Sequence, residues 1–162
     1  MARGRKHWLF KSEPQEFSIQ DLAACPGQRA EWDGVRNYQA RNLLRDEIQE
    51  GDLVLFYHSR VQPPAVVGIA RVVKGGHPDS TQFDPSDPHH DPRSSRENPR
   101  WYAVDIQLER IFERPVTLPE MRSMPALEGM MLLRRGARLS VQPVTSRQWH
   151  AILRRAGEKS PS

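Results

Sequence analysis

Gly51-Asp52-Leu53-Val54-Leu55-Phe56-Tyr57-His58-Ser59, followed after a short link by Ala65-Val66-Val67-Gly68-Ile69-Ala70, is the stretch that decides the fold class. Each apolar run has the length of a strand and the first opens on a Gly-Asp turn. The link across residues 59–64 is short enough for an antiparallel hairpin. Upstream, residues 7–11 read as a further strand that ends at Ser12-Glu13-Pro14. Downstream, residues 101–112 alternate, with Tyr102, Val104, Ile106 and Leu108 against Asp105, Gln107 and Glu109. That is the period of a long strand. Residues 138–141 read as the last one.

Helices are expected around this core. Ser18 is placed as an N-cap with Asp21 completing a capping box, and Ile19 and Leu22 form the apolar side. Pro26-Gly27 ends that helix and Glu31-Trp32-Asp33-Gly34 reads as a turn. Residues 37–49 carry Ala40, Leu43, Leu44 and Ile48 on one side and Asn37, Arg41 and Arg45 on the other. Thr117 with Glu120 opens a short helix, and residues 145–155 form the last, with Trp149, Ile152 and Leu153 inward. Strands in the middle and helices near both ends indicate an α+β fold. The order fits a small, mostly antiparallel β-barrel with peripheral helices.

The 162 residues suit one domain with a core of its own. Residues 1–6 read as a flexible basic tail, 7–156 as the domain and 157–162 as a second flexible tail. Cys25 is the only cysteine, so no intramolecular disulfide forms and packing must hold the fold. No apolar run approaches a membrane span, and the basic start (Arg3, Arg5, Lys6) is not followed by the apolar core of a signal peptide. The expectation is a soluble, cytoplasmic protein. A net charge of +4 tilts the partner toward a polyanion. Residues 75–100 are rich in Pro, Asp, Ser and His without apolar periodicity. A loop of that length is usually functional or mobile, and closure over a pocket is one role for it.

Catalytic and cofactor signatures are missing. There is no phosphate loop, no dinucleotide glycine fingerprint, no nucleophile elbow and no zinc-ligand spacing. No cofactor, no metal and no catalysis are expected. Asp84, Asp87, His89, His90 and Asp91 offer metal-type ligands, but Asp-Pro pairs are common turn starters and adjacent histidines rarely point at one ion. Capped turns are the preferred reading of this loop. His58 and Ser59 are neighbours in an extended run, so their side chains face opposite ways and make no catalytic pair.

Five segments together resemble the EVE domain family. They are residues 8–14 (Trp-Leu-Phe-Lys-Ser-Glu-Pro), 32–42 (Trp-Asp-Gly-Val-Arg-Asn-Tyr-Gln-Ala-Arg-Asn), 51–59, 66–70 and 138–144 (Arg-Leu-Ser-Val-Gln-Pro-Val). They span nearly the whole chain in the family's order. The resemblance implies a PUA-like fold related to the YTH domains, a base-sized pocket, and a reader of modified bases in DNA or RNA.

The residues can be read for that chemistry. A single-base pocket needs a π surface and a few polar groups at the base edge. Trp32 is the stacking candidate, against a plain role in the core. Asn37 and Tyr38 start a helix, where Asn37 either caps it or reads a base edge. Arg36 and Arg41 flank that helix start as phosphate candidates, against an ordinary solvated face. Ser12, His58, Ser59 and Gln142 sit at strand ends that can meet in one cavity. Trp8, Phe10, Phe56, Trp101 and Trp149 are assigned to the core. Two other classes stay open. One is a small-molecule or protein-interaction module. The other is a nucleic-acid-processing enzyme using His58 with an acid such as Glu13 or Asp79.

Overall fold

The computed structural model describes residues 4–162. At its centre β3 (Leu53–His58) is buried along its whole length. Leu53, Leu55 and Tyr57 join one apolar cluster, and Val54 and Phe56 join the other. A strand covered on both faces has no polar side, hence the continuous apolar run. β1 (His7–Ser12) pairs with β3 in parallel, and β6 (Val141–Val144) pairs antiparallel with β1. On the other side β4 (Ala65–Pro78) and β5 (Tyr102–Thr117) follow antiparallel, and β2 (Arg29–Trp32) closes that edge. The order is β2-β5-β4-β3-β1-β6.

The α+β class holds. The sheet is mixed, and among the described residues no pairing joins β2 to β6, so the ladder itself does not close into the expected barrel. Its two faces are covered by different helices. Ile19 and Leu22 of α1 (Ile19–Ala24) and Ala40 of α2 (Tyr38–Asn42) belong to the cluster of Trp8, Phe10 and Phe56. Met121 of α3 (Leu118–Arg122) and Trp149 and Ile152 of α4 (Ser146–Ala156) belong to the cluster of Leu9 and Leu55. After Asn42 the backbone widens into a π-type turn over Leu43–Glu47, which still buries Leu44.

The helix starts follow their local chemistry. Ser18 with Asp21, Thr117 with Glu120, and Thr145 with Gln148 all form reciprocal capping boxes. Each satisfies two backbone donors that a helix start leaves open, a contribution of about 1 kcal/mol. Gly68 has a packing reason. A Cβ there would run into the Arg110 carbonyl oxygen and Ile19 Cδ1, so only glycine lets α1 settle on the β4–β5 crossing.

Several boundaries differ from the sequence reading. Residues 29–32 form an edge strand where a turn was expected to begin. The last strand starts at Val141 rather than 138. β4 runs on to Pro78, so the irregular segment is shorter than 75–100. The described parts of the two expected tails make contacts with the domain. Residues 1–3 of the expected tail lie outside the described residues. Beyond them Arg5 donates to the Pro161 carbonyl (3.1 Å), and the Lys6 N–H donates to Asp52 (3.1 Å). At the other end Glu158 pairs with Arg110 (2.8 Å), and Ser160 Oγ accepts from Trp149 Nε1 (3.1 Å). Among the described residues no helix is long and apolar enough to cross a membrane.

Candidate functional site

The ends of β1 and β2 and the residue after β3 open on one cleft of about 1190 Å³, partly exposed to solvent. Lys11 and Ser12 come from β1, Trp32 from β2, Arg36 and Asn37 from the turn that follows, and Ser59 from beyond β3. His89 reaches in from the irregular segment, and Arg138 and Ser140 from the approach to β6. Typical small-molecule pockets hold about 300–1,000 Å³, so this cleft has room for more than one ring.

Trp32 is the last residue of β2, opposite Val104. Its ring lies 5.1 Å from Phe10, 5.6 Å edge-on from Phe56 and 6.3 Å from Phe17. It is 8% exposed. Trp32 is thus a core residue whose remaining edge lines the cleft.

The turn after Trp32 is held from below. Gly34 has φ of 78°, and a Cβ on it would lie 2.8 Å from His89 Cε1. Only glycine permits both the left-handed backbone and the imidazole resting on it. The Gly34 N–H donates to Asp79 Oδ2 (2.7 Å). Asp79 is fully buried. It also accepts from the Thr81 N–H (2.7 Å), Thr81 Oγ1 (2.5 Å) and Arg36 Nη1 (3.1 Å). Burial alone would raise the Asp79 pKa, but these hydrogen bonds outweigh it and hold the carboxyl below its ordinary value.

Arg36 is used up by the same network. Besides Asp79 it donates to Thr81 Oγ1 (3.1 Å), the His89 carbonyl (2.6 Å) and the Val35 carbonyl (3.1 Å). It also lies 5.2 Å from the Trp101 ring. Trp101 stacks on Tyr38 at 4.8 Å, and Arg41 lies 4.9 Å from the Tyr38 ring. Arg41 further donates to Asn42 Oδ1 (2.8 Å) and the Arg100 carbonyl (2.7 Å). A column of Arg36, Trp101, Tyr38 and Arg41 results. It fastens α2 to the irregular segment.

Of the residues picked from sequence, Ser12, Trp32, Arg36, Asn37 and Ser59 meet at the cleft. Tyr38, Arg41, His58 and Gln142 do not line it. Tyr38 is 49% exposed, outside in the column just described. His58 Nε2 accepts the Ile19 N–H (3.1 Å). Burial lowers its pKa, which favours the neutral form that can accept this bond. Gln142 is buried and donates to the Leu139 carbonyl (2.9 Å), leaving its Oε1 without a hydrogen bond. Asn37 caps α2 by accepting the Ala40 N–H (3.0 Å). Ser12 Oγ donates to the Phe17 carbonyl (2.5 Å), and the Ser59 N–H to the Ser12 carbonyl (2.9 Å).

The cleft holds charges that the sequence reading left unassigned. Arg60 is paired with Glu13 (2.9 Å). Among the described residues Lys11 Nζ donates only to the Ala137 carbonyl (3.3 Å), and burial lowers its pKa. Arg138 is exposed and, among the described residues, has neither hydrogen-bond nor ion-pair partner. Asp33 is exposed in total yet sits among enough protein for loss of water to be the leading cause of its raised pKa. With Asp79 and Glu31 nearby, that pKa reaches about 6. Lys11, Asp33 and Arg138 all fall inside family-like segments, which was the signal available for them. His89 had been weighed only as a metal ligand.

The irregular segment is built as a run of turns. Asp84, Asp87 and Asp91 each accept the N–H two residues on, from Ser86, His89 and Arg93, at 2.8–2.9 Å. Asp91 also accepts from Trp101 Nε1 (2.7 Å), and Gln82 is buried against the Trp101 backbone. The acids act as turn caps, as expected from their Asp-Pro spacing. Among the described residues one group has metal-type ligand atoms within 4.8 Å of one another: Glu31, His77 and Asp105. Its members already satisfy each other or a neighbour, with His77 Nε2 2.8 Å from Asp105 and Ser80 Oγ donating to Glu31 at 2.5 Å.

Residues 6–155 match the family described as EVE domain. Thymocyte nuclear protein 1 of Gallus gallus is 44% identical over 94% of this chain and 69% of its own length. A structural-genomics protein from Pseudomonas syringae is 47% identical with a TM-score of 0.87, covering 93% of this chain and 99% of that one. Human thymocyte nuclear protein 1, crystallised in complex with 5-methylcytosine containing DNA, is 42% identical with a TM-score of 0.88. That match covers 96% of this chain and 99% of that one.

Proposed function

The chain belongs to the EVE domain family, and from that premise we propose that it is a non-catalytic DNA-binding domain that reads a modified cytosine in the cleft beside Trp32. The carrying observation is the cleft itself. It has room for more than one ring, is walled by an aromatic edge, and is flanked by Lys11, which makes one hydrogen bond to the Ala137 carbonyl, and by Arg138, which has no partner among the described residues. The human relative's complex with 5-methylcytosine containing DNA supports cytosine as the base. The edge of Trp32 and the Phe17 side offer a surface for a base. Lys11 and Arg138 take the adjoining phosphates. Arg36 and Arg41, first read as phosphate contacts, instead hold the cleft in shape. The family also carries a PUA-like reading of the sheet as a curled barrel. Four register shifts along the β4–β5 pair support it, since bulges bend strands.

The test is a titration of the protein with duplex and single-stranded DNA bearing cytosine or 5-methylcytosine at one position, at two salt concentrations. Tighter binding to 5-methylcytosine, weakened by Trp32→Phe and falling with salt, is the expected result. Burial of one methyl group contributes about 0.8 kcal/mol, so a preference of roughly fourfold is the floor. Equal binding of every oligonucleotide, or none, overturns the reading.

A further inference from the structure

The acids of the cleft differ in one respect. Glu13 is paired with Arg60 (2.9 Å), and Glu31 accepts from Ser80 Oγ (2.5 Å) with His77 nearby. Asp33 is different. It immediately follows the buried Trp32 and lines the same cleft, yet among the described residues its carboxylate takes no hydrogen bond. Its neighbours make matters worse. Glu31 on β2 and Asp79 and Asp87 from the irregular segment all oppose its charge, and only His89 favours it. Lys11, Arg36 and Arg138 line the same cleft. A carboxylate without a protein donor, in the cleft that also shows the Trp32 edge, can accept a ligand's N–H. Loss of water, and after it the charges of Asp79 and Glu31, raise its pKa to about 6.

Resting on the reading of the cleft as a base pocket, we infer that Asp33 is the specificity residue. Its carboxylate accepts a hydrogen bond from the exocyclic 4-amino group of a cytosine-type base and rejects thymine-type bases. The chemistry of the choice is narrow. Thymine and 5-methylcytosine carry the same methyl group and stack alike, so neither Trp32 nor a methyl-sized space separates them. They differ at position 4, where cytosine offers N–H and thymine offers a carbonyl oxygen. A carboxylate facing that oxygen is two acceptors face to face, with the acceptor left unpaired. Pockets built around such a polar contact reject the wrong ligand far better than pockets built on shape alone.

The experiment compares wild type and Asp33→Asn on single-stranded DNA of one sequence carrying 5-methylcytosine, cytosine or thymine at the central position. Runs are made at pH 7.5 and pH 5.5. Wild type is expected to favour 5-methylcytosine over thymine by roughly tenfold at pH 7.5. That ratio should shrink at pH 5.5 as the carboxyl protonates. Asp33→Asn, whose amide can turn either its oxygen or its NH₂ to the base, is expected to bring the ratio within about twofold at both pH values. Thermal unfolding of the variant close to that of wild type shows that the fold is intact. If wild type prefers 5-methylcytosine and Asp33→Asn keeps the same ratio over thymine, the assignment of Asp33 is overturned and the base-reading function stands. If wild type distinguishes none of the oligonucleotides, both fall.

Discussion

Replacing Asp79 with Asn should destabilise the protein by about 3 kcal/mol, because one carboxylate anchors the whole floor of the cleft. Asp79 is fully buried and accepts from the Gly34 N–H, the Thr81 N–H, Thr81 Oγ1 and Arg36 Nη1. Asn keeps the shape but removes the charge, and it turns an NH₂ toward groups that are all donors. Removing one partner of a buried charge pair costs about 3–5 kcal/mol. The lower end applies because Arg36 keeps the His89 and Val35 carbonyls as partners. For a chain of this size that corresponds to a fall in Tm of roughly 6–12 °C. The pH dependence carries a sign. The folded-state pKa of Asp79 lies below the ordinary value, so its stabilisation is present above pH about 4 and is lost as pH falls further. Urea unfolding of both proteins at pH 7 and pH 3 measures this, with a double-mutant cycle through Arg36→Met to isolate the pair. A difference below about 1 kcal/mol at pH 7, or one that persists unchanged at pH 3, would refute the reasoning.

Trp32→Ala removes a ring packed on Phe10, Phe17 and Phe56. Calorimetry should show a loss of about 3–5 kcal/mol, so Trp32→Phe is the better variant for binding. Arg138→Ala should leave Tm unchanged, since the side chain is exposed and has no partner among the described residues, while the slope of log K against log salt on duplex DNA falls by about 0.9. Gly34→Ala should cost about 1–2 kcal/mol, from a left-handed backbone and a forced shift of His89, read by chemical denaturation. Asp33 has a folded-state pKa raised to about 6. Stability therefore falls as pH rises from about 4 to 6, and Asp33→Asn should flatten that part of a Tm-against-pH curve.

Much of the architecture was legible because it is local. The buried run at 53–58, the alternation after Trp101 and the capping boxes at Ser18 and Thr117 are set by neighbours within a few positions, and all recur in the structure. The strand at Arg29–Trp32 was not legible. Four residues with charged side chains at 29 and 31 carry too little pattern, and pairing with β5 alone makes them a strand. The last strand was displaced for a related reason, since its register is set by contact with β1.

The sequence by itself determined the α+β class, the order of most elements and the resemblance to the EVE family, because periodicity, caps and ordered motifs are written along the chain. Only the tertiary structure decided which charges are free to meet a ligand. Arg36 looked available beside a helix start, but its partners Asp79 and His89 arrive from 43 and 53 residues away. Asp33 and Arg138 looked no different from other surface charges. Whether a side chain is spent or free depends on what folds against it, and hydrogen bonds across such separations leave no periodic trace in the sequence.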